Sequence, residues 1–108
     1  MNWIALTDLA QLNDIYTNSF HKPVLIFKHS TRCSLSSVIR SRLERASNTA
    51  YMDFYILDLI KNRDISDAVS EKYAVYHESP QVILIKNGEC VYDESHNGIY
   101  MDEIINQL

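Results

Sequence analysis

The most constraining feature of this sequence is the short apolar run PVLIF at residues 23–27, which contains no polar side chain. A strand with one face in water alternates apolar and polar residues, whereas a strand covered on both faces is apolar throughout. The run therefore predicts a central strand in a sheet that has helices on both faces. A second run, QVILI at residues 81–85, predicts another strand of this kind.

The segments between these runs mostly follow the period of amphipathic helices. The predicted helices run from a cap at Thr7 to residue 19, over residues 34–47, from a cap at Asn62 or Asp64 to residue 73, and over residues 99–108. The further strands cover residues 52–59 and 89–93, with room for a short leading strand at residues 3–5. Asn87-Gly88 between two strands is a hairpin signal. This order predicts an α/β domain with a central mixed β-sheet flanked by helices on both faces.

The bulk properties set limits on the protein class. A length of 108 residues is typical of one domain, so we predict a single domain over residues 1–108. The net charge of −4 argues against a nucleic-acid partner, and no apolar run is long enough to span a bilayer. The opening MNWIALTDLAQ lacks the basic and apolar regions of a signal peptide, so we expect a cytoplasmic protein.

The cysteines predict neither a disulfide scaffold nor a metal site. The chain has two, Cys33 and Cys90, which are too few for a scaffold, and their separation matches no zinc signature. Cys90 lies in the returning hairpin strand, and we predict a structural role for it.

Cys33 lies in the turn between the first buried strand and the second predicted helix. If Ser34 begins that helix, its N-terminus faces the sulfur, and such a position lowers a thiol pKa from about 8.5 toward roughly 3.5 to 7.5. The opposing interpretation is a buried, inert cysteine. The polar surroundings favour a reactive thiol. We predict Cys33 as the nucleophile, with its thiolate stabilised by Ser36 and by the backbone amides of Ser34 and Leu35.

The spacing from Cys33 to Ser36, a C-x-x-S pattern, predicts a reaction with one thiol rather than two. A cysteine in place of Ser36 would allow an intramolecular disulfide, which a serine cannot form. A single thiolate can still attack a mixed disulfide, take over the released group and be relieved by a second thiol from solution. The pattern alone is weak, because Cys and Ser often occur together.

Two longer segments give the sequence a family resemblance. Residues 28–36 read KHSTRCSLS and residues 71–88 read EKYAVYHESPQVILIKNG, with Ser95-His96 further on. They resemble the monothiol bacilliredoxin branch of the thioredoxin superfamily, whose patterns are KHSTxCPxS and EKYxVxHESPQxILIKNG. The resemblance covers nearly the whole chain. It implies a thioredoxin fold in which the Ser79–Pro80 peptide bond is cis and lies opposite Cys33.

The resemblance also implies a reaction. In this branch the cysteine removes bacillithiol from protein mixed disulfides, so we expect Cys33 to take over bacillithiol or a similar small thiol. The residues expected to line the adduct site are Thr31, Arg32, Ser79 and Pro80. The implied partners are S-thiolated proteins and a low-molecular-weight thiol, with no cofactor, metal, nucleic acid or membrane, and the sequence leaves the oligomeric state open.

Departures from the family patterns keep other functions open. Ser34 stands where the family has proline, and Phe27, Arg32 and Ser36 stand where thioredoxin has a buried acid, a tryptophan and its second cysteine. Reduction of protein disulfides by two thiols is therefore disfavoured. The alternatives are a thioredoxin-like binding module without redox activity and a glutaredoxin-like protein for another small thiol. His29 and His77 either stabilise turns or tune the thiol.

Overall fold

The strands assemble into one mixed sheet. In the computed structural model, which describes residues 1–46 and 51–108, the strands are β1 (Trp3–Ala5), β2 (Val24–His29), β3 (Asp53–Asp58), β4 (Gln81–Lys86) and β5 (Glu89–Ser95). Their order is β1-β3-β2-β4-β5. Strands β1, β3 and β2 are mutually parallel, whereas β4 is antiparallel to β2, and β5 to β4. The predicted mixed sheet is confirmed.

Helices cover both faces of this sheet, as predicted. The described residues form α1 (Gln11–Asn18), α2 (Ser34–Ala46), α3 (Arg63–Tyr73) and α4 (Met101–Ile105), with a 3₁₀ turn at His96–Gly98. Helices α1 and α3 share one buried apolar cluster with the sheet, and α2 and α4 share the other. Every residue of β2 is buried, which explains the continuous apolar run. None of the helices in the described ranges has the length and hydropathy needed to cross a membrane.

Two predicted helix starts are wrong for identifiable reasons. Helix α1 begins at Gln11 rather than at residue 7, because the Gln11 side-chain oxygen accepts the backbone N–H groups of Thr7 and Asp8 and holds them outside the helix. Helix α4 begins at Met101 rather than at residue 99, because Ile99 is extended after the 3₁₀ turn. The predicted end of the second helix at residue 47 lies outside the described residues.

The sheet register brings the two sequence motifs to the same edge. Strand β2 ends four residues before Cys33, and Lys28 near that end pairs with Gln81, the first residue of β4. Pro80 directly precedes Gln81, so it lies at the same end of the sheet as the turn that carries Cys33. Gln81 also pairs with Ser95, the last residue of β5. At this end of the sheet the parallel strands end and β4 begins.

Cys90 lies at the opposite end of the sheet. It pairs with Ile85, which in turn pairs with Val24 at the start of β2. Its thiol is partly buried against the α1–α3 cluster and donates to the Tyr92 carbonyl at 3.5 Å. Burial raises the pKa of Cys90. The register thus places Cys90 far from Cys33, and its structural role stays a prediction.

The Asn-Gly hairpin is also confirmed. Asn87 and Gly88 have φ angles of 53° and 78°, as a tight turn between twisted antiparallel strands requires. The turn is fastened to the end of α1, because the backbone N–H groups of Asn87 and Gly88 donate to the carbonyl and the hydroxyl of Ser19.

Replacing Gly88 tests this turn. A Cβ at this position would lie 2.8 Å from Tyr16 Cε1 and 2.9 Å from Phe20 Cζ, in a backbone conformation that L-residues avoid. We expect Gly88→Ala to lower the free energy of unfolding by about 1–3 kcal/mol. The control is Gly98→Ala, where φ is not positive and the added Cβ meets the movable carboxyl end of Glu94. Equal losses in urea titrations of the two variants would contradict this interpretation.

Candidate functional site

The turn after β2 places Cys33 directly before the first residue of α2. The Cys33 N–H donates to the Ser30 carbonyl at 3.2 Å, and the Cys33 carbonyl accepts the Ser37 N–H at 3.2 Å. The prediction that Ser34 begins the helix is confirmed. The thiol is free and partly exposed. Because the N–H groups of a first helical turn lack intrahelical acceptors, they concentrate positive potential where the Cys33 residue lies.

Ser36 fastens this turn from inside the protein. Its side chain is fully buried, and its oxygen accepts the Ser30 N–H at 3.1 Å and lies 2.6 Å from His29 Nδ1. The hydroxyl thus joins the end of β2 to the first turn of α2. Its direct contacts support the backbone that carries Cys33, and its action on the thiolate stays a prediction.

The direction of the hydrogen bond between Ser36 and His29 depends on which ring nitrogen of His29 carries the proton. Burial lowers the pKa of His29, Arg40 lowers it further, and Asp58 and Glu44 oppose the shift, so the ring is neutral near pH 7. With the proton on Nε2, the Ser36 hydroxyl donates to Nδ1. With the proton on Nδ1, the ring donates to the Ser36 oxygen, and the hydroxyl proton is available to another acceptor. The contact with Ser36 gives His29 a turn-stabilising role, and its tuning of the thiol stays a prediction.

The loop before β4, residues 74–80, carries the second motif. Its Ser79–Pro80 peptide bond is cis. The Gln81 side chain donates to the Tyr76 carbonyl at 2.8 Å, and the Pro80 carbonyl accepts the His96 N–H at 2.9 Å. Among the described residues, no hydrogen bond within the chain uses the backbone N–H or C=O of Ser79, and its buried hydroxyl has no partner.

A buried lysine contacts this loop from the face of the sheet opposite to Ser36. Lys28 is fully buried, and its Nζ lies 3.2 Å from the Ser66 carbonyl, 2.8 Å from Ser70 Oγ and 3.3 Å from His77 Nδ1. Burial and the Lys28 charge lower the pKa of His77, so its neutral ring can accept from the ammonium group. His77 therefore acts as a turn-stabilising residue, one of its two predicted roles.

The remaining predicted site residues lie on the surface of the turn. Thr31, Arg32 and Ser34 are exposed, whereas the Leu35 side chain is partly buried against the α2–α4 cluster. The structure thus brings the Cys33 turn and the Ser79–Pro80 loop to one edge of the sheet. Within the described part of the chain, no three His, Cys, Asp or Glu side chains gather as a potential metal site.

The sequence analysis missed the Lys28 cluster. Its signal is present in α3, where Ser66 and Ser70 lie four residues apart, interleaved with the inward-facing Ile65 and Val69. Two serines at helical spacing on a buried face need hydrogen-bond partners. The pattern alone does not say that Lys28 is the partner, because that contact crosses from one element to another.

The architecture and the Cys33 turn define a protein of thioredoxin fold. A solved protein described as an oxidoreductase candidate with a thioredoxin fold is 31% identical, with a TM-score of 0.84, and the match covers 96% of this chain and 91% of that chain. Fasciola hepatica thioredoxin matches at 21% identity and a TM-score of 0.75, over 95% of this chain and 96% of that chain. Malassezia sympodialis thioredoxin matches at 17% identity and a TM-score of 0.76, over 98% and 88%. The two thioredoxins show similarity of fold alone.

The family is more specific than the fold. The family model of the monothiol bacilliredoxin BrxC matches residues 4–104. The chain therefore belongs to the monothiol bacilliredoxin family, and its function is thiol redox chemistry. The resemblance inferred from the two sequence motifs is confirmed.

Replacing Ser36 tests its role in the turn. Ser36→Ala leaves the Ser30 N–H and His29 Nδ1 without their buried partner, and we expect a loss of about 1–3 kcal/mol in the free energy of unfolding. The matched control is Ser37→Ala, one residue further along the helix and exposed. Denaturant titration measures both, and a Ser36→Ala variant as stable as the control would contradict the role assigned to the hydroxyl.

Lys28 makes stability depend on pH. Burial lowers the pKa of Lys28 from 10.5 to about 8, with a further lowering by Arg63 against an opposing effect of Asp67. Between these values the unfolded chain binds more protons at this residue than the folded chain. The contribution of Lys28 to the free energy of unfolding therefore rises with pH across this window.

The Lys28→Met variant isolates this effect. We expect the wild type to gain stability relative to the variant as the pH rises from about 8 toward about 10. The comparison cancels the opposing effect of Tyr55, Tyr73 and Tyr92, whose pKa values burial raises in both proteins. Parallel curves of unfolding free energy against pH would show that Lys28 does not titrate in this window.

Proposed function

We propose that the protein removes bacillithiol from protein mixed disulfides by transfer to Cys33. The observation that carries the proposal is the position of a free, partly exposed thiol directly before α2, at the sheet edge where the Ser79–Pro80 loop also lies. Membership of the monothiol bacilliredoxin family supports bacillithiol as the small thiol.

The transfer is a single exchange of sulfur partners. The Cys33 thiolate attacks the bacillithiol sulfur of the mixed disulfide and forms a new S–S bond to it. The old S–S bond breaks, and the substrate cysteine leaves as a thiolate that takes up a proton from water. The reaction exchanges one disulfide for another without net oxidation. A second small thiol then attacks the Cys33 adduct, releases a symmetric small disulfide and regenerates the thiol.

The first turn of α2 acts at the start and at the end of this exchange. We propose its backbone N–H groups at Ser34 and Leu35, which lack intrahelical acceptors, as hydrogen-bond donors to the Cys33 sulfur before attack and after the adduct leaves. Ser36 keeps this turn in place through its bonds to Ser30 and His29. Because Ser36 cannot form a disulfide, the adduct persists until an external thiol removes it.

The loop before β4 supports binding of the substrate chain. The backbone of Ser79 has no hydrogen-bond partner among the described residues, and it lies at the start of a strand. An extended substrate segment can pair with such a free backbone as an added strand does. We propose that Ser79 and Pro80 receive the chain that flanks the modified cysteine, and that Thr31 and Arg32 face the adduct from the exposed turn.

A transfer assay tests the proposal. A small substrate protein that carries bacillithiol on its single cysteine is mixed with the reduced protein, and intact-mass spectrometry follows both chains. We expect the substrate to lose one bacillithiol as this protein gains one. Cys33→Ser should abolish the gain, whereas Cys90→Ser should retain it because that thiol lies at the far end of the sheet.

The same assay separates the alternatives. A protein that binds the substrate but takes up no adduct is a binding module without redox activity. A protein that accepts glutathione faster than bacillithiol from matched mixed disulfides serves a different small thiol. Either result would overturn the proposed function.

A further inference from the structure

One ring atom of His77 connects the loop before β4 to the neighbouring strand and helix. His77 Nδ1 lies 3.3 Å from Lys28 Nζ, near the end of β2, and 3.2 Å from Ser66 Oγ in α3. His77 also lies two residues before Ser79, whose backbone has no hydrogen-bond partner among the described residues. The sulfur exchange described above uses neither His77 nor Lys28, so this polar contact has no role in it.

The hydrogen-bond donors of Lys28 determine where the neutral His77 ring carries its proton. An ammonium group has three N–H donors and accepts no hydrogen bond. Lys28 Nζ lies 3.2 Å from the Ser66 carbonyl, 2.8 Å from Ser70 Oγ and 3.3 Å from His77 Nδ1, which gives one acceptor for each donor. His77 Nδ1 can accept only if it carries no proton. The contact therefore places the proton of the neutral ring on Nε2.

A second proton on the His77 ring is incompatible with this contact. A protonated ring carries N–H groups at both nitrogens and accepts no hydrogen bond. Its Nδ1–H would point at the Lys28 ammonium group, so two positively charged donors would meet and repel each other. Ser66 Oγ, at 3.2 Å, is an acceptor within reach of the same nitrogen. Protonation thus moves Nδ1 from Lys28 to Ser66 and leaves one Lys28 donor without its acceptor.

The surroundings of His77 oppose its protonation. Burial lowers the pKa of His77 the most, and the charges of Lys28 on β2 and Arg63 on α3 lower it further, whereas Asp67 on α3 and Glu78 in the loop raise it. Asp67 is itself paired with Arg63 at 3.6 Å. The ring is therefore neutral at pH 7 and takes up its second proton only below the ordinary value of about 6.5.

The other contacts of this loop do not depend on the charge of its histidine. The Gln81 side chain donates to the Tyr76 carbonyl at 2.8 Å, and the Pro80 carbonyl accepts the His96 N–H at 2.9 Å. The Glu78 carboxylate lies 3.5 Å from His96 Nε2. These contacts hold the loop on both sides of its histidine. Protonation of that histidine therefore shifts the loop without detaching it.

We infer that His77 is a positioning residue for the exchange and acts as a pH-sensitive switch on the loop that receives the substrate chain. The neutral ring holds the loop against Lys28, and protonation of the ring moves the loop away from β2. The inference rests on the proposed function, because it names what controls the proposed binding of the protein substrate at Ser79. In acid the protein therefore loses its advantage for protein mixed disulfides, whereas small disulfides do not need the loop and are unaffected by the switch.

An NMR titration tests the switch without any redox step. Nuclear Overhauser contacts between the Lys28 side chain and the His77 ring are followed from about pH 7.5 to about pH 5, the range in which histidines titrate. We expect these contacts to disappear with the same midpoint as the protonation of the His77 ring. In Lys28→Met the midpoint of His77 should rise, because the variant lacks the cation that opposes protonation.

Two outcomes of the titration would overturn the inference. One is a Lys28 contact that persists on the fully protonated His77 ring. The other is a folded Lys28→Met variant in which the midpoint of His77 is unchanged. The first outcome is measured on the wild type alone, so the titration decides the inference even if Lys28→Met does not fold.

A transfer measurement connects the switch to the exchange. Cys33 is offered bacillithiol in two forms, as the mixed disulfide of one substrate protein and as the symmetric bacillithiol disulfide, and the ratio of the two rates cancels every effect of pH on the thiol itself. We expect the ratio to fall roughly three- to tenfold between about pH 7.5 and about pH 5, the effect of one lost hydrogen bond.

Two histidine variants make this measurement specific. His77→Asn offers Lys28 an amide oxygen that takes up no proton in this range, so its ratio should stay constant with pH. His21→Asn removes an exposed histidine after α1, and its ratio should fall as in the wild type. A constant ratio in the wild type, or an equal fall in His77→Asn, would overturn the inference and leave the proposed function standing. Transfer to Cys33 from neither form at pH 7.5 would overturn the proposed function, and the NMR titration then decides the switch alone.

Discussion

The hydrogen bonds of the Ser36 hydroxyl hold the Cys33 turn in place. The hydroxyl is fully buried, accepts the Ser30 N–H and contacts His29, so it ties the end of the central strand to the start of α2. A buried hydroxyl that lost both partners would cost about 1–3 kcal/mol, which is a substantial part of the stability of a small domain. The position that carries the second thiol in dithiol relatives therefore supports the backbone here, and the chemistry is left to Cys33.

The last two residues of β2 connect this turn to the second motif. Successive residues of a strand point to opposite faces, so Lys28 and His29 reach different layers of the protein. His29 contacts α2 under the Cys33 turn, and Lys28 contacts α3 and His77 under the loop before β4. Each motif is thus anchored on a different face of one fully buried strand. The relative position of the thiol and the Ser79–Pro80 loop follows from the contacts that this strand makes on its two faces.

The sequence predicted what depends on local pattern. The run PVLIF, the Asn87-Gly88 turn and the place of Cys33 before a helix are short-range features, and the structure confirms all three. The sequence did not predict the start of α1, where the Gln11 side chain accepts backbone N–H groups. It also did not predict the Lys28 cluster. A cavity of about 250 Å³ beside the Cys33 turn was missed for the same reason, because its lining comes from separate elements: β1, β2, β3, α2, the Cys33 turn and the segment before α3. No spacing within one element encodes such contacts.

The contacts of the individual cations show why the net charge of −4 gives little information about the site. Arg42 donates to the carbonyls of Asn97 and Ile99 and lies 4.3 Å from the Tyr100 ring centroid, so it fastens the 3₁₀ turn to α2. Lys28 is committed to the loop before β4 on the other face. Arg40 and Lys61 are different, because both line the cavity that shares Thr31 with the Cys33 turn. The net charge of −4 therefore says little about the electrostatic potential at one site, which depends on which cations reach that site.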